Sequence, residues 1–295
     1  MRMAWGREPR VYGVLLGGII VISFSSILIK LISAPALVIA SFRLGLATLL
    51  LAPFAWRGRE ELRQLSRSRD DLLFSLLSGL FLALHFITWI SSLKYTSVAS
   101  SVVLVSTSPI FVGLGARFIL RERLSPKLIW GIVLSLAGGV LISYGDLRFD
   151  REEFLGDLLA LGGAVSVAAY FLIGRRVRRW GQIGFLDYIF IVYGLAALVL
   201  LTATLAARQS LYGYPSRAYL FLALLALGPQ LLGHSSLNWA LKHASAPTVA
   251  VATVGEPVGA TILAYLILGE GLTLLKGLGG LFILVGIYLA ARAEG

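Results

Sequence analysis

Ten apolar runs, each long enough to cross a membrane as a helix, fill most of this sequence. Crossing the hydrocarbon core takes roughly 20 helical residues. The runs are continuously apolar, whereas membrane-barrel strands alternate apolar and polar residues over about ten positions, so the runs predict helices. The sequence therefore predicts an all-α integral membrane protein with ten transmembrane helices, near residues 11–31, 35–56, 71–93, 97–118, 127–144, 154–174, 185–207, 218–241, 246–269 and 273–291.

Composition and loop length exclude several classes of protein. Hydrophobic residues make up 58% of the chain and charged residues 14%, against roughly 45–50% and about 25% in soluble domains, so a soluble globule has no way to bury this apolar surface. The short connections leave no room for a soluble catalytic or nucleotide-binding domain, which argues against an ATP-driven pump. The chain has no cysteine, which excludes disulfides and thiolate metal sites. We predict neither a metal nor another cofactor.

The basic residues predict how the chain is oriented. The net charge of +11 is spread in short clusters between apolar runs, so we expect a lipid bilayer rather than nucleic acid as the partner. Alternate loops hold 18 and seven Lys and Arg residues, with a weaker bias after residue 200. Because basic residues resist translocation, both termini are predicted to be cytoplasmic, with residues 1–10 as a tail. We take the plasma (cell inner) membrane as the default location.

An internal repeat fixes the expected architecture. Upstream of residue 90 the two copies match at an offset near 143 residues, and downstream they match at an offset of 148. Each copy holds five helices, and because five is odd, the second copy must enter the membrane from the opposite side. Such a 5+5 inverted-topology repeat is a recurring architecture of secondary transporters. The pairs at the larger offset are Leu93 and Leu241, Lys94 and Lys242, Ser97 and Ser245, Pro109 and Pro257, Glu122 and Glu270, Leu124 and Leu272, and Gly131 and Gly279.

Two stretches resemble a known family. Pro109-Ile110-Phe111, Glu122, Gly131 and Gly138-Gly139 are similar to the end of an EamA-type module, and the pattern recurs as Pro257, Glu270, Gly279 and Gly286. Pro35 followed by Arg43 fits the same family. The resemblance covers nearly the whole chain and implies the drug/metabolite transporter superfamily, with five-helix modules at residues 11–145 and 154–292 and a linker at 146–153. It also implies secondary export of amino acids or other small metabolites.

Ionisable residues inside the spans are the first candidates for function. Each costs roughly 2.5–3.5 kcal/mol at mid-bilayer, so each needs a partner or a wet cavity. Glu256 lies between Gly255 and Pro257 and has Ser108 as its match in the first repeat. An acid present in one half only is typical of a proton-coupling site, and the alternative is a structural pairing. Arg43 is a candidate to bind a substrate carboxylate or phosphate, with a packing role as the alternative.

Polar and aromatic residues at helical spacing predict a central cavity. One stripe contains His85 and Trp89, and another contains Gln230, His234 and Asn238; the alternative is that both imidazoles are hydrogen-bonded across helices without a substrate. Trp89, Tyr170 and Trp239 are candidates for an aromatic cage, unless they anchor the membrane interface.

Two prolines and two glutamates complete the set of candidates. Pro109 and Pro257 are expected to kink the fourth and ninth helices, as hinges or as ordinary packing bends. Glu122 and Glu270 lie at predicted helix ends, where a capping or loop-anchoring role is expected.

Three functional hypotheses follow. The preferred one is an exporter of small metabolites such as amino acids, either proton-coupled or facilitative, which works by alternating access as a monomer. A sugar or phosphate-ester exchanger would present several basic residues to its substrate, and a facilitative channel is the third reading. An enzyme is not expected, because the sequence contains no G-x-S-x-G, H-E-x-x-H or G-x-x-x-x-G-K motif.

Overall fold

A computed structural model describes residues 9–57, 69–96, 98–144, 151–269 and 271–293. Within these ranges every regular element is a helix. Nine helices there are long and apolar enough to cross a membrane, and a tenth, Pro126–Ile142, is apolar but shorter. The predicted all-α membrane class is therefore confirmed. Residues 1–8 of the tail, residues 146–150 of the linker and Glu270 lie outside the described residues.

The first half contains five membrane spans, which we call spans 1 to 5. Span 5 begins at a proline, and the Ser125 side chain caps it by accepting a hydrogen bond from the backbone N–H of Leu128, as is typical of helix starts. The helices are Pro9–Ile22 and Phe24–Leu31 in span 1, Ala36–Arg57 in span 2, Arg69–Ser92 in span 3, Val98–Val105 and Ser108–Phe118 in span 4, and Pro126–Ser143 in span 5.

The second half contains spans 6 to 10. Span 8 includes a π-helical segment around Pro229, a residue that has no backbone N–H to donate. The helices are Arg151–Trp180 in span 6, Phe185–Ala206 in span 7, Ser216–Leu225 and Ser235–Ala240 with the π segment Ala226–His234 between them in span 8, Ala246–Thr253 and Glu256–Leu263 followed by the π segment Ala264–Leu268 in span 9, and Leu274–Arg292 in span 10.

Span 6 is longer than the sequence predicts. Its apolar run was expected to end near residue 174, but the helix continues to Trp180. The arginines of the extra turns are held by the protein: Arg175 is buried against Glu122, and the guanidinium of Arg178 lies 5.1 Å from the ring centre of Phe185. Hydropathy alone predicts that the helix ends just before Arg175, because the residue that pairs with this arginine, Glu122, lies far away in sequence.

Spans 4 and 9 are broken at matching positions. The first piece of span 4 ends at Val105 and the second begins at Ser108. In span 9 the corresponding residues are Thr253 and Glu256, so both edges of the break repeat at the same 148-residue offset as the sequence. Two helices with matching breaks are what a duplicated, inverted transporter fold places around its site.

The pairs of spans that pack together are also related by the repeat. Span 5 packs against span 10, span 2 against span 7, and the second piece of span 4 against the first piece of span 9. Span 3 packs against span 6, and span 1 correspondingly packs against span 8. The Tyr12 hydroxyl donates a hydrogen bond to the Ala291 carbonyl at 2.9 Å, so the start of span 1 and the end of span 10 lie at one end of the bundle, which we call the termini end.

Glycines bring spans 5 and 10 into backbone contact. A Cβ atom added to Gly279 would lie 2.6 Å from the carbonyl oxygen of Gly138, and one added to Gly286 would lie 2.6 Å from that of Gly131. Gly131 and Gly138 of span 5 thus meet Gly286 and Gly279 of span 10 in reverse order. Since these pairs are equivalent under the repeat, the two fifth helices run antiparallel, which confirms the inverted repeat.

Gly279→Ala is therefore expected to destabilise the protein. The new methyl group would collide with backbone that cannot rotate away, and overpacking of this kind typically costs about 1–3 kcal/mol. Gly277→Ala on the same helix is the control, since a Cβ there meets nothing within 4 Å. The measurement is the fraction of monodisperse protein that survives heating in detergent. Equal survival of the two variants would contradict the close contact.

Candidate functional site

A central cavity lies among seven of the ten spans. It leaves about 60 Å³ for the centres of water-sized molecules, enough for a few of them. Six predicted site residues line it, namely Arg43, His85, Trp89, His234, Glu256 and Pro257. Residues that the sequence analysis did not single out for the cavity also line it: Ile19, Ile22, Ser25, Val102, Val105, Ser106, Ser108, Val167, Phe171, Leu237 and Thr253.

Arg43 is the most enclosed charge of the site. It is fully buried, and its guanidinium lies 4.4 Å from the ring centre of Phe86. Its Nε donates to the side-chain oxygen of Gln230 at 2.8 Å, and Nη1 donates to the Ser25 hydroxyl at 2.8 Å. Among the described residues Nη2 has no hydrogen-bond partner. Residues of spans 1 and 8 therefore hold the Arg43 guanidinium in place. Its Nη2 group is left to donate to a ligand.

Gln230, Asn238 and Tyr170 form the layer behind this cavity. All three are fully buried, and none is among the lining residues. The amide nitrogen of Asn238 donates to the Tyr170 hydroxyl at 2.5 Å and to the His234 carbonyl at 3.0 Å. Only some residues of the two predicted stripes line the cavity, namely His85, Trp89 and His234. Gln230 and Asn238 instead form hydrogen bonds with Arg43 and Tyr170.

Both histidines lie beside Phe86. The His85 ring stacks on Trp89 with 5.7 Å between ring centres and 10° between planes. Its Nδ1 lies 3.0 Å from the Gly163 carbonyl oxygen, which can only accept, so Nδ1 carries a proton. The His234 ring centre is 5.5 Å from that of Phe86. Both imidazoles thus reach the same cavity from the two halves of the repeat.

Glu256 opens the second piece of span 9 and lines the cavity. Its backbone carbonyl accepts a hydrogen bond from the Ser23 hydroxyl at 3.4 Å. Within the described part of the chain, its carboxylate makes no hydrogen bond or ion pair, although its charge interacts with that of Arg43. A carboxylate at a helix N-terminus is stabilised by the helix dipole. The cavity therefore contains one cation and one acid that are not joined by a salt bridge.

The two prolines lie just after the point where their helix is interrupted. Pro109 is the second residue of its helix piece, and Pro257 is the second residue of the matching piece. Proline is favoured at the first helical turn, where its missing N–H has no intrahelical partner. Pro257 lines the cavity, whereas Pro109 is buried beside it. The helix is interrupted where the prolines predict it, and Thr107 and Val254 keep helical backbone angles there, so each interruption is a tightened turn within one span.

The proposed aromatic cage does not form. Trp239 lies against His243 with 4.3 Å between ring centres, and the Arg10 guanidinium lies 6.0 Å from the Trp239 ring centre. Tyr170 is fully buried and bonded to Asn238. Of the three predicted residues only Trp89 lines the cavity, because Trp239 faces His243 and Arg10 whereas Tyr170 faces Asn238 of span 8.

Ser25 is the main functional residue that sequence reasoning missed. It binds Arg43 and lines the cavity. A signal was present, since Ser23, Ser25 and Ser26 interrupt the otherwise apolar first run. The first span breaks at this point, between Ile22 and Phe24, which presents the Ser25 hydroxyl to span 2.

An ion cluster ties three spans together at the termini end. Glu122 follows span 4, and its Oε1 accepts from Arg175 Nε at 3.0 Å and from Arg179 Nη1 at 3.3 Å. Arg175 is only 2% exposed and also donates to the Leu241 carbonyl, at the end of span 8, at 2.7 Å. The loop-anchoring role expected of Glu122 thus takes the form of an ion pair with span 6.

Comparisons with known proteins agree with this architecture. An uncharacterized transporter of Clostridium kluyveri is 27% identical over 247 residues, which is 82% of this chain and 78% of the relative. The uncharacterized transporter YyaM of Bacillus subtilis is 24% identical over 258 residues, 85% of this chain and 83% of the relative. A crystal structure matches with a TM-score of 0.77 and 21% identity, covering 95% of this chain and 96% of that one; at that identity it shows the fold alone.

The match to a family covers both halves. The profile of the EamA-like transporter family matches residues 10–144 and, a second time, residues 154–292. Together these segments include nearly all of the spans described above. The chain belongs to the EamA-like transporter family.

Proposed function

We propose that this transporter exports small zwitterionic metabolites such as amino acids by alternating access, with proton coupling at Glu256. The observation that carries the proposal is the pair of opposite charges in one buried cavity. Arg43 has a free donor group, suited to a substrate carboxylate. The carboxylate of Glu256 lines the same cavity and is suited to an ammonium group or a proton.

The walls of the cavity support a substrate that also has an apolar part. The stacked His85 and Trp89 rings form one side, and Phe171 and Leu237 add apolar surface. A ligand site is typically apolar with a few directed polar groups. The small volume of the cavity requires the spans to separate before a substrate enters, and the breaks in spans 4 and 9 are places where the helices can bend.

A phosphate-ester substrate is less well supported. Such a substrate calls for several basic side chains around the phosphate. Among the described residues, one arginine and no lysine line the central cavity, and two of the nitrogens of that arginine are bound to Gln230 and Ser25. The distribution of Lys and Arg supports cytoplasmic termini and hence a cytoplasmic position for the termini end.

Glu256→Gln tests the coupling in proteoliposomes. Uptake and counterflow of pooled labelled amino acids, sugars and nucleosides are measured with and without an inward-acid pH gradient. We expect gradient-driven flux to be lost in the variant, because an amide of the same shape cannot take up and release a proton. Counterflow without a gradient is expected to persist at a reduced rate.

Other outcomes would contradict specific parts of the proposal. If gradient-driven flux survives in the variant, Glu256 does not couple protons. Saturable flux of sugars alone would exclude the zwitterionic substrate. Flux that neither saturates nor shows counterflow would identify a channel. Thr253→Ala, which removes another polar group from the cavity lining, is the matched control and is expected to keep the response to the gradient.

A further inference from the structure

A second cavity lies at the termini end, apart from the central one. It is a groove of about 400 Å³ by the same measure. Its walls come from the connection between spans 4 and 5, the last turns of span 6, the start of span 9 and the residue after span 10. The transport site described above shares no residue with it.

The groove is strongly positive. Four arginines line it, Arg121, Arg123, Arg175 and Arg179, against the single carboxylate of Glu122. Glu122 is already bound to Arg175 and Arg179. Arg121 and Arg123 are exposed and make no hydrogen bond or ion pair within the described part of the chain. The hydroxyls of Ser245 and Thr248 add polar groups to the opposite wall.

The surroundings of the groove place it at the membrane surface. Trp180 lines it and is 54% exposed, and tryptophan is enriched at the level of lipid headgroups. Phe118 and Ile119, just before the groove in the chain, are 74% and 73% exposed. An arginine-rich groove with exposed apolar side chains beside it is suited to bind a molecule that has an anionic head and apolar tails.

We propose that this groove binds the headgroup of an anionic phospholipid from the leaflet at the termini end. The phosphate contacts Arg121, Arg123 and Arg179, while the acyl chains lie along Phe118 and Ile119. Basic pockets between membrane helices bind anionic lipids in this way. A soluble phosphate would satisfy the arginines but would leave the adjacent apolar surface unused.

Native mass spectrometry of the full chain tests this inference. The ratio of bound phosphatidylglycerol to bound phosphatidylcholine is measured for the wild type and for Arg121→Gln/Arg123→Gln. Loss of two arginines near the surface is expected to weaken phosphatidylglycerol binding about 30-fold. The control is Arg176→Gln/Lys242→Gln, which removes two exposed cations near the same end but outside the groove, and it is expected to bind as the wild type does.

Three results would overturn the proposal. Equal weakening in both double variants would reveal general attraction to surface charge. Equal binding of phosphatidylglycerol and phosphatidylcholine would remove the role of the anionic headgroup. Displacement of phosphatidylglycerol by equimolar inorganic phosphate would identify a site for a soluble anion. Both substituted pairs are exposed, so a folding defect in either is not expected, and the retained monomer peak checks this.

Discussion

Replacing Arg43 with glutamine is expected to lower the initial rate of substrate counterflow at least 100-fold. The change removes the only arginine that lines the cavity among the described residues and leaves Gln230 and Ser25 without their donor. Hydrogen bonds to charged groups contribute about 1.5–3 kcal/mol each, and the proposed substrate loses its cation as well. Rates are measured in proteoliposomes with matched amounts of protein, for the amino acids that the wild type moves.

Two further variants separate charge from geometry. Arg43→Lys keeps a positive charge but cannot reach Gln230 and Ser25 with a planar fork, so we expect an intermediate rate. Lys242→Gln removes an exposed cation at the termini end and is expected to transport normally. A folded Arg43→Gln protein that transports at the wild-type rate would show that Arg43 has a packing role only.

Glu122→Gln is expected to have the largest effect on stability. The change removes the carboxylate that pairs with Arg179 and with the buried guanidinium of Arg175. Removing one partner of a buried ion pair costs about 3–5 kcal/mol, which corresponds to a fall in melting temperature of roughly 5–8 °C for a protein of this size. The measurement is the temperature at which half of the protein leaves the monodisperse peak.

A double-mutant cycle shows whether the effect belongs to the pair. Glu122→Gln/Arg175→Gln is expected to be less destabilised than the sum of its single variants, because neither charge is then left alone. Asp70→Asn, an exposed carboxylate at the start of span 3, is the control and is expected to melt like the wild type. Strict additivity of the two single changes would contradict direct coupling.

Much of the fold follows from local sequence. Length and continuity of the apolar runs predict the spans, since each helix in lipid must satisfy its own backbone. The repeat of proline and glycine at a fixed offset predicts the inverted halves, because the same backbone contacts occur twice. Gly131 and Gly279 illustrate this, as each occupies in its own half a place where only a small residue fits.

The site was predictable only in part. Intramembrane charge identified Arg43 and Glu256, because ionisable groups in lipid need a cavity or a partner. The pairing of Arg43 with Ser25 and Gln230 was not predictable, since the partners lie on other spans. The predicted end of span 6 was wrong for the same reason, since the partners of its arginines lie elsewhere in the sequence. Trp239 was misplaced because helical spacing gives a face but not the neighbour that the face meets.

The glycine crossing of spans 5 and 10 has a mechanical consequence. Backbone lies against backbone there, with no layer of side chains that can slide or change rotamer. We therefore expect these two helices to move as one body. Neither contributes a residue to the lining of the central cavity, so we expect the motion that opens the cavity to take place mainly among the other eight helices. We therefore expect spans 5 and 10 to stay in place relative to each other while the spans that line the cavity rearrange.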